Sequence, residues 1–321
     1  MAGVYIHIGL HKTGTTSLQR YFLHHGDAGT LGDIDYPMIP ATRNSRAHHI
    51  LAGFGGPRSG EAIARLVDVI ANSKADHVVL SSELLSLADP ARVRETLGCD
   101  AAIVVYLRRQ DEYLESFYRE VVKMSHYHGS PDEFVHSALD QESVTLVTRG
   151  KTKVNEAVPV YFSQLVDRWS AVFTDVRVRV YGNPAEGFDI VEDFADVTGL
   201  DLPGGSPPSV NESFPVKLLQ FRQAIDRQLS AEQRRELSPF LWRVSQTLGD
   251  PTPNGFISPG LRAEIVRRCA DDNVRLAEVL GTEGVFDEFD PLDQPAEIDP
   301  LSETEFAAFA GLLVGQLLKR N

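Results

Sequence analysis

The chain has only two cysteines, Cys99 and Cys269, in 321 residues, so it has no disulfide framework and a reducing compartment is expected. It lacks an apolar run long enough to cross a bilayer. The best candidate, Phe306 to Leu318, falls short of the about 20 residues that a membrane helix needs, and it reads as the buried face of a final helix. Basic charge is scarce: 31 Lys and Arg stand against 45 Asp and Glu, for a formal net charge of −14. That balance speaks against general nucleic-acid binding, and against a polyanionic acceptor unless cations cluster locally. Residues 287 to 299 hold six acids and no Lys or Arg, so part of the imbalance is one acidic loop, read as a solvated linker. Internal repeats and low-complexity tracts are absent. The amino terminus enters an apolar strand within a few residues, which leaves no room for a signal peptide. Together these features predict a soluble, cytoplasmic protein without membrane insertion.

What is present starts at once. Val4 to Ile8 is an apolar run that reads as a buried strand, and Thr15 to His24 reads as a helix with Leu18, Tyr21 and Phe22 at helical spacing. Between them, Gly9 and Gly14 keep the glycine spacing of the triphosphate loop G-x-x-x-x-G-K-S/T. The residue after the second glycine is Thr15, and the loop's lysine is Lys12, at its apex. A strand, a glycine turn and a helix amino terminus supply free N–H groups and the positive end of the helix dipole, which suits a 5′-phosphate. The γ-phosphate and metal apparatus is altered, which points to a nucleotide whose transferred group is not a γ-phosphoryl.

A second block follows at Ala101 to Tyr118. Residues 101 to 107 are a β-branched apolar run, a candidate core strand of a parallel sheet. Arg108 falls at its carboxyl end, where ligands of open α/β sheets collect. Asp111 can begin the next helix as its N-cap, and Ser116 lies about one turn further in. An arginine at a strand end and a serine on the next helix can converge on one phosphate.

With these two blocks the chain resembles the sulfotransferases that use 3′-phosphoadenosine 5′-phosphosulfate, in their bacterial branch with His-Lys-Thr-Gly-Thr-Thr-x-Leu-Gln loops. His11 to Gln19 fits that wording. The resemblance implies that His11, Lys12, Thr13, Gly14, Thr15, Thr16 and Ser17 hold the 5′-phosphosulfate, and that Arg108 with Ser116 holds the 3′-phosphate. It extends to Ser81-Ser82-Glu83 after a strand and to the order of elements from Tyr161 to Leu200. The glycine-rich 3′-phosphate segment of the cytosolic animal enzymes is not evident. Arg149, Lys151 and Lys153 either supply that third partner or form a solvated basic loop.

The implied reaction moves a sulfuryl group to a hydroxyl of a carbohydrate, lipid-linked glycan or small metabolite, without a metal. Lys12 would face the charge that builds on the bridging oxygen. Glu83 is the first candidate for the base, since several glycan sulfotransferases place a glutamate after the corresponding strand; a glutamate there can also serve as a structural acceptor for a helix start. His11 and the pair His48 and His49 compete as bases, because histidine has the right intrinsic pKa. His7, on a buried strand, reads as structural. Tyr113, Phe117, Tyr118, Tyr127 and Trp169 line a sugar-stacking cleft or belong to the core. The alternatives are a P-loop kinase of a nucleoside or small molecule, which would need a lysine after Gly14, and a non-catalytic nucleotide-binding protein.

The alternation of apolar runs gives strands near 4–9, 77–82, 101–107 and 176–182. Helices fall near 15–25, 61–72, 90–97, 111–125, 131–139, 161–173 and 187–199, with long irregular connections at 26–60 and 140–160. This predicts an α/β fold, a three-layer P-loop-like parallel sheet flanked by helices. A single domain is expected, with a nucleotide-binding core over 1–200 and a helical carboxyl-terminal extension over 201–321.

Overall fold

The structure, a computed structural model, describes residues 2–38, 47–53, 59–147, 153–182, 187–204, 214–248, 255–286 and 299–318. Its elements begin β1 (Gly3–His7), α1 (Thr15–Ala28), β2 (Ile34–Asp35), α2 (Ser59–Asn72), β3 (His77–Ser81), α3 (Pro90–Leu97), β4 (Ala102–Leu107), α4 (Gln110–Lys123) and α5 (Pro131–Gln141). They continue β5 (Ser143–Val147), β6 (Lys153–Ala157), α6 (Phe162–Ser170), β7 (Asp175–Val180), α7 (Ile190–Thr198), α8 (Val216–Asp226), α9 (Ala231–Thr247), α10 (Pro259–Leu280) and α11 (Glu303–Leu318). The chain gathers into two compact units that alternate along the sequence. The first comprises Met1–Arg108, Tyr161–Ser209 and Asp271–Phe286, and the second Arg109–Val160, Val210–Ala270 and Asp287–Asn321.

The first unit is built on a five-stranded sheet in the order β2-β3-β1-β4-β7, with every pairing parallel. Its central strands are apolar on both sides, as a sheet covered on both faces requires. One face meets α1 and α7: Leu18, Tyr21, Phe22, Ile190 and Phe194 pack with Val79, Val104 and Tyr106. The side chains of the other face, Ile6, Leu80, Ile103 and Val105, are equally buried. Each such side chain contributes about 1.5–3 kcal/mol when fully buried, so the sheet is a rigid platform. The expected α/β architecture is what the structure shows. Because all five strands run the same way, the segments after β1, β3, β4 and β7 leave the sheet at one edge.

Two features of residues 26–60 escaped the periodicity. The two-residue strand β2 is too short to alternate, yet it pairs with β3 through Ile34 and His77. A 3₁₀ turn covers His49–Ala52. The connection expected over 140–160 instead contains the antiparallel hairpin β5–β6. β6 keeps its side chains largely exposed, which removes the apolar signal that marks a strand. Arg149 and Lys151 lie outside the described residues, as do 287–298 of the acidic loop; Lys153 is exposed at the start of β6.

The second unit holds α4, α5, the hairpin, α8, α9, the first half of α10, and α11. Tyr113, Phe117 and Tyr118 are buried there, and Tyr127 stacks edge-on against Tyr118 and Phe134. In the first unit Trp169 is fully buried against Phe173. Tyr113, Phe117, Tyr118 and Trp169 are core, which corrects the sugar-cleft alternative for them; Tyr127 is half-buried. Asp111 is not the N-cap of α4: Arg109 occupies that position. The Asp111 carboxylate turns instead to two guanidinium groups, accepting from Arg109 at 2.7 Å and from Arg262 at 3.0 Å. Arg262 also donates to Glu115, whose other oxygen takes the N–H groups of Gly255 and Phe256. All three charges are buried and paired. α11 differs from expectation as well. Phe306 and Phe309 pack on Phe221, but only Leu313 is fully buried, and Leu312, Val314 and Leu318 are exposed. No helix among the described residues is long and apolar enough to cross a membrane.

Candidate functional site

The loop after β1 is tied into the sheet before it turns. Ile8 and Leu10 donate to the carbonyls of Val104 and Tyr106 at 2.9 and 3.0 Å, and Tyr106 donates back to Gly9 at 2.7 Å. This wedges the loop root beside β4 at the sheet's carboxyl edge, where open α/β sheets bind ligands. Both glycines are then required. Gly9 has φ 98°, and a Cβ there would lie 2.8 Å from the Glu83 Cα; Gly14 has φ 75°, and its Cβ would meet the Tyr181 ring at 2.8 Å. Any side chain at either position is both strained and obstructed.

Between them Lys12 also sits in the left-handed region, at φ 65°. A non-glycine residue held there costs on the order of 1–3 kcal/mol and persists where its surroundings dictate it. The hydroxyls of Thr13 and Thr15 both donate to the Leu10 carbonyl, at 2.8 and 3.1 Å. They are buried and brace the loop from inside. Gly14 is the N-cap of α1, and its carbonyl takes the N–H of Ser17 at 2.9 Å. The first turn of α1 thus begins at Thr15 and Thr16, with the positive end of the helix dipole at the loop. His11 and Lys12 are half-buried.

Glu83 follows β3 at the same edge, within the same unit. Its Oε2 accepts from Gln19 Nε2 at 3.2 Å, and Gln19 also reaches Ser81 Oγ at 3.4 Å. His49 Nε2 stands 3.9 Å from Glu83 Oε1, beyond hydrogen-bond range but close enough for charge coupling. His49 Nδ1 pairs with Ser82 Oγ at 2.7 Å. Ser82 caps the short 3₁₀ helix Glu83–Leu87 by accepting from Leu84 N–H. The structural role that competes with catalysis at Glu83, acceptor for a helix start, is therefore filled by its neighbour. Glu83 keeps a carboxylate about one-quarter exposed.

The histidines separate clearly. His48 is fully buried, with Nε2 at 2.9 Å from the Pro37 carbonyl and Nδ1 bonded by the Ser81 N–H at 3.0 Å. It is a structural pin, which corrects its candidacy as a base. His7 is buried beside Ser81 Oγ at 2.9 Å, as its place on the strand implied. Burial lowers both rings from 6.5 to about 4. Burial also lowers His49, opposed by the Glu83 charge.

In the unfolded chain these rings take up protons near 6.5, whereas in the fold His7 and His48 do so only near 4. Stability is therefore complete above about pH 6.5 and declines as the pH falls toward about 4. Each ring accounts for up to about 3 kcal/mol across that window. The urea midpoint should be lower at pH 5 than at pH 7, and equal midpoints would contradict this assignment.

Arg108 ends the first unit after β4. Its guanidinium lies 5.9 Å from the centroid of the Tyr181 ring, the ring that covers Gly14. Tyr181 follows β7 and donates its N–H to the Leu107 carbonyl at 2.7 Å. Burial raises its hydroxyl pKa, opposed by the Arg108 charge. Lys12, Gly14, Glu83, His49, Arg108 and Tyr181 thus belong to one unit. Ser116 is on α4 of the second unit, and its partnership with Arg108 rests on the sequence resemblance alone. Gln19 and Ser82 stood inside the motifs read from sequence without a role of their own, and Tyr181 was not singled out. Only position after a strand, or one helical turn beyond the loop, could have marked them.

No protein-family model matches the chain. No curated protein matches it either. Among solved structures, it is similar to the crystal structure of a sulfotransferase from Alicyclobacillus acidocaldarius, at a TM-score of 0.46 and 17% identity, over 88% of this chain and 97% of that one. At that score the likeness assigns nothing to this chain.

Proposed function

We propose that the chain is a sulfotransferase that carries a sulfuryl group from 3′-phosphoadenosine 5′-phosphosulfate to a hydroxyl of a carbohydrate or small metabolite. The observation that carries this reading is the loop itself. Its lysine stands at the apex, at φ 65°, and the position directly after Gly14, which a triphosphate loop fills with its lysine, is taken by Thr15, whose hydroxyl is bonded to the Leu10 carbonyl. The donor set suits a nucleotide with phosphates at both ends of its ribose: the α1 amino terminus and Lys12 for the 5′ side, and Arg108 for the 3′ side.

In the proposed reaction Glu83 takes the proton of the acceptor hydroxyl as that oxygen bonds to sulfur. Gln19 holds the carboxylate from the far side. Lys12 opposes the negative charge that grows on the phosphate oxygen as its bond to sulfur breaks. Tyr181 covers the glycine on which the loop turns.

Recognition of the 3′-phosphate is directly measurable. Adenosine 3′,5′-bisphosphate should bind more tightly than 5′-AMP, and Arg108→Ala should remove about 1.5–3 kcal/mol of that binding, the worth of a hydrogen bond to a charged group. Equal affinities by calorimetry would remove Arg108 from the site. Incubating the protein with sulfur-labelled donor and a cell extract, then isolating the labelled product, would identify the acceptor.

A further inference from the structure

The second unit contains a cavity of about 450 Å³ that plays no part in the reading above. It lies where the end of α4 meets α8 and α9, and every residue that lines it belongs to the second unit. In a chain of net charge −14 its wall is basic: Lys123, Arg222, Arg234 and Arg235 line it, with Glu120 as the one carboxylate. Lys123 is neutralised by Glu120 at 2.6 Å, and Arg222 by Asp226 at 2.8 Å. Arg234 is different. It meets no carboxylate among the described residues, and donates instead to His128 at 2.8 Å, a ring whose pKa is lowered by burial and by the Arg234 charge.

Two further nitrogens in this wall are unsatisfied. Arg222 is 1% exposed, and its Nη1 makes no hydrogen bond among the described residues; the same holds for the buried Nε of Arg234. A buried guanidinium nitrogen without a partner is costly, and these two, shut off from solvent, leave surplus positive charge behind the wall. The remaining wall mixes Ser125, His126 and Ser238 with apolar and aromatic side chains. Trp242, itself more than one-third exposed, lies 5.9 Å from the Phe214 ring. Pro239 lies within α9 at this wall and has no N–H to give the Arg235 carbonyl.

We infer that this cavity binds a small organic anion with an aromatic body, its charged group against Arg234 and its ring against Trp242. The volume suits a molecule of one or two rings. Arginine offers the planar fork that sulfonate, sulfate ester or carboxylate oxygens accept, and an indole face gives the ring an amphipathic partner. The inference is independent of the sulfuryl-transfer reading.

The test is calorimetric titration of the full chain with 2-naphthalenesulfonate, with 2-naphthalenemethanol as the neutral isostere and inorganic sulfate as the anion alone. One saturable site per chain is expected, with both comparators at least about tenfold weaker. Arg234→Gln and Trp242→Ala, neither of which alters a fully buried side chain, should each weaken the sulfonate by about tenfold or more, with circular dichroism unchanged. Lys12→Ala should leave it bound. Absence of saturation, equal binding of the neutral isostere or of sulfate, or full affinity in either cavity variant would overturn the inference. Loss of binding in Lys12→Ala would overturn it too, by placing the anion at the loop after β1.

Discussion

Lys12→Ala is expected to lower sulfuryl-transfer turnover by about 10²-fold or more, the scale seen when one donor to a developing charge is removed. The lysine sits at the loop apex, with its backbone in the left-handed region. The N–H groups at the start of α1 and the inward Thr13 and Thr15 hydroxyls remain in the variant, so the cradle for the 5′-phosphate should survive. Affinity for adenosine 3′,5′-bisphosphate should then fall much less than turnover. Parallel calorimetry and single-turnover kinetics would measure both. Equal losses would make Lys12 a binding residue without a special role in the transition state.

Glu83→Gln should cost turnover on a similar scale, about 10²-fold or more, because the amide keeps the shape but cannot accept the proton. The Glu83 carboxylate is held by Gln19 and stands beside His49, and neither contact involves the nucleotide loop's N–H groups. Nucleotide affinity should therefore be nearly unchanged. His11 and His49 are the remaining rivals; the His49 ring is partly exposed and its Nδ1 is fixed by Ser82, whereas His48 is enclosed with both ring nitrogens engaged. Full turnover in Glu83→Gln together with its loss in His49→Ala would transfer the role of base to the histidine.

Those assignments were legible because their signals are local. A β-branched run before a glycine turn, and another ending at Arg108, fixed β1, β4 and the edge at which they terminate. Parallel strands buried on both faces read as continuous apolar runs, so β3 was found in the same way; β7, a half-buried edge strand, showed itself by alternating valine with arginine. Elements with little to bury were not. β2 is two residues long, and β6 exposes most of its side chains. α11 was misjudged for the opposite reason: its composition is apolar, but packing leaves most of its surface open. Side-chain direction was harder still. Asp111 has the chemistry of an N-cap, but two guanidinium groups outbid the backbone for its carboxylate. The inward turn of the Thr13 and Thr15 hydroxyls follows the local fold of the loop around the Leu10 carbonyl, which residue types do not reveal, and the burial of His48 depends on Pro37 and Ser81, distant in sequence.

The central claim is that the loop after β1 serves a nucleotide with a 3′-phosphate and no γ-phosphoryl chemistry. A thermal-unfolding comparison of adenosine 3′,5′-bisphosphate, without magnesium, against ATP with magnesium tests this most directly. A ligand that binds the native state raises its unfolding temperature by mass action. The account predicts a saturable rise with the bisphosphate that EDTA does not diminish and that Arg108→Ala reduces, with a smaller effect from ATP and magnesium. A rise with ATP that requires magnesium, and none with the bisphosphate, would contradict it.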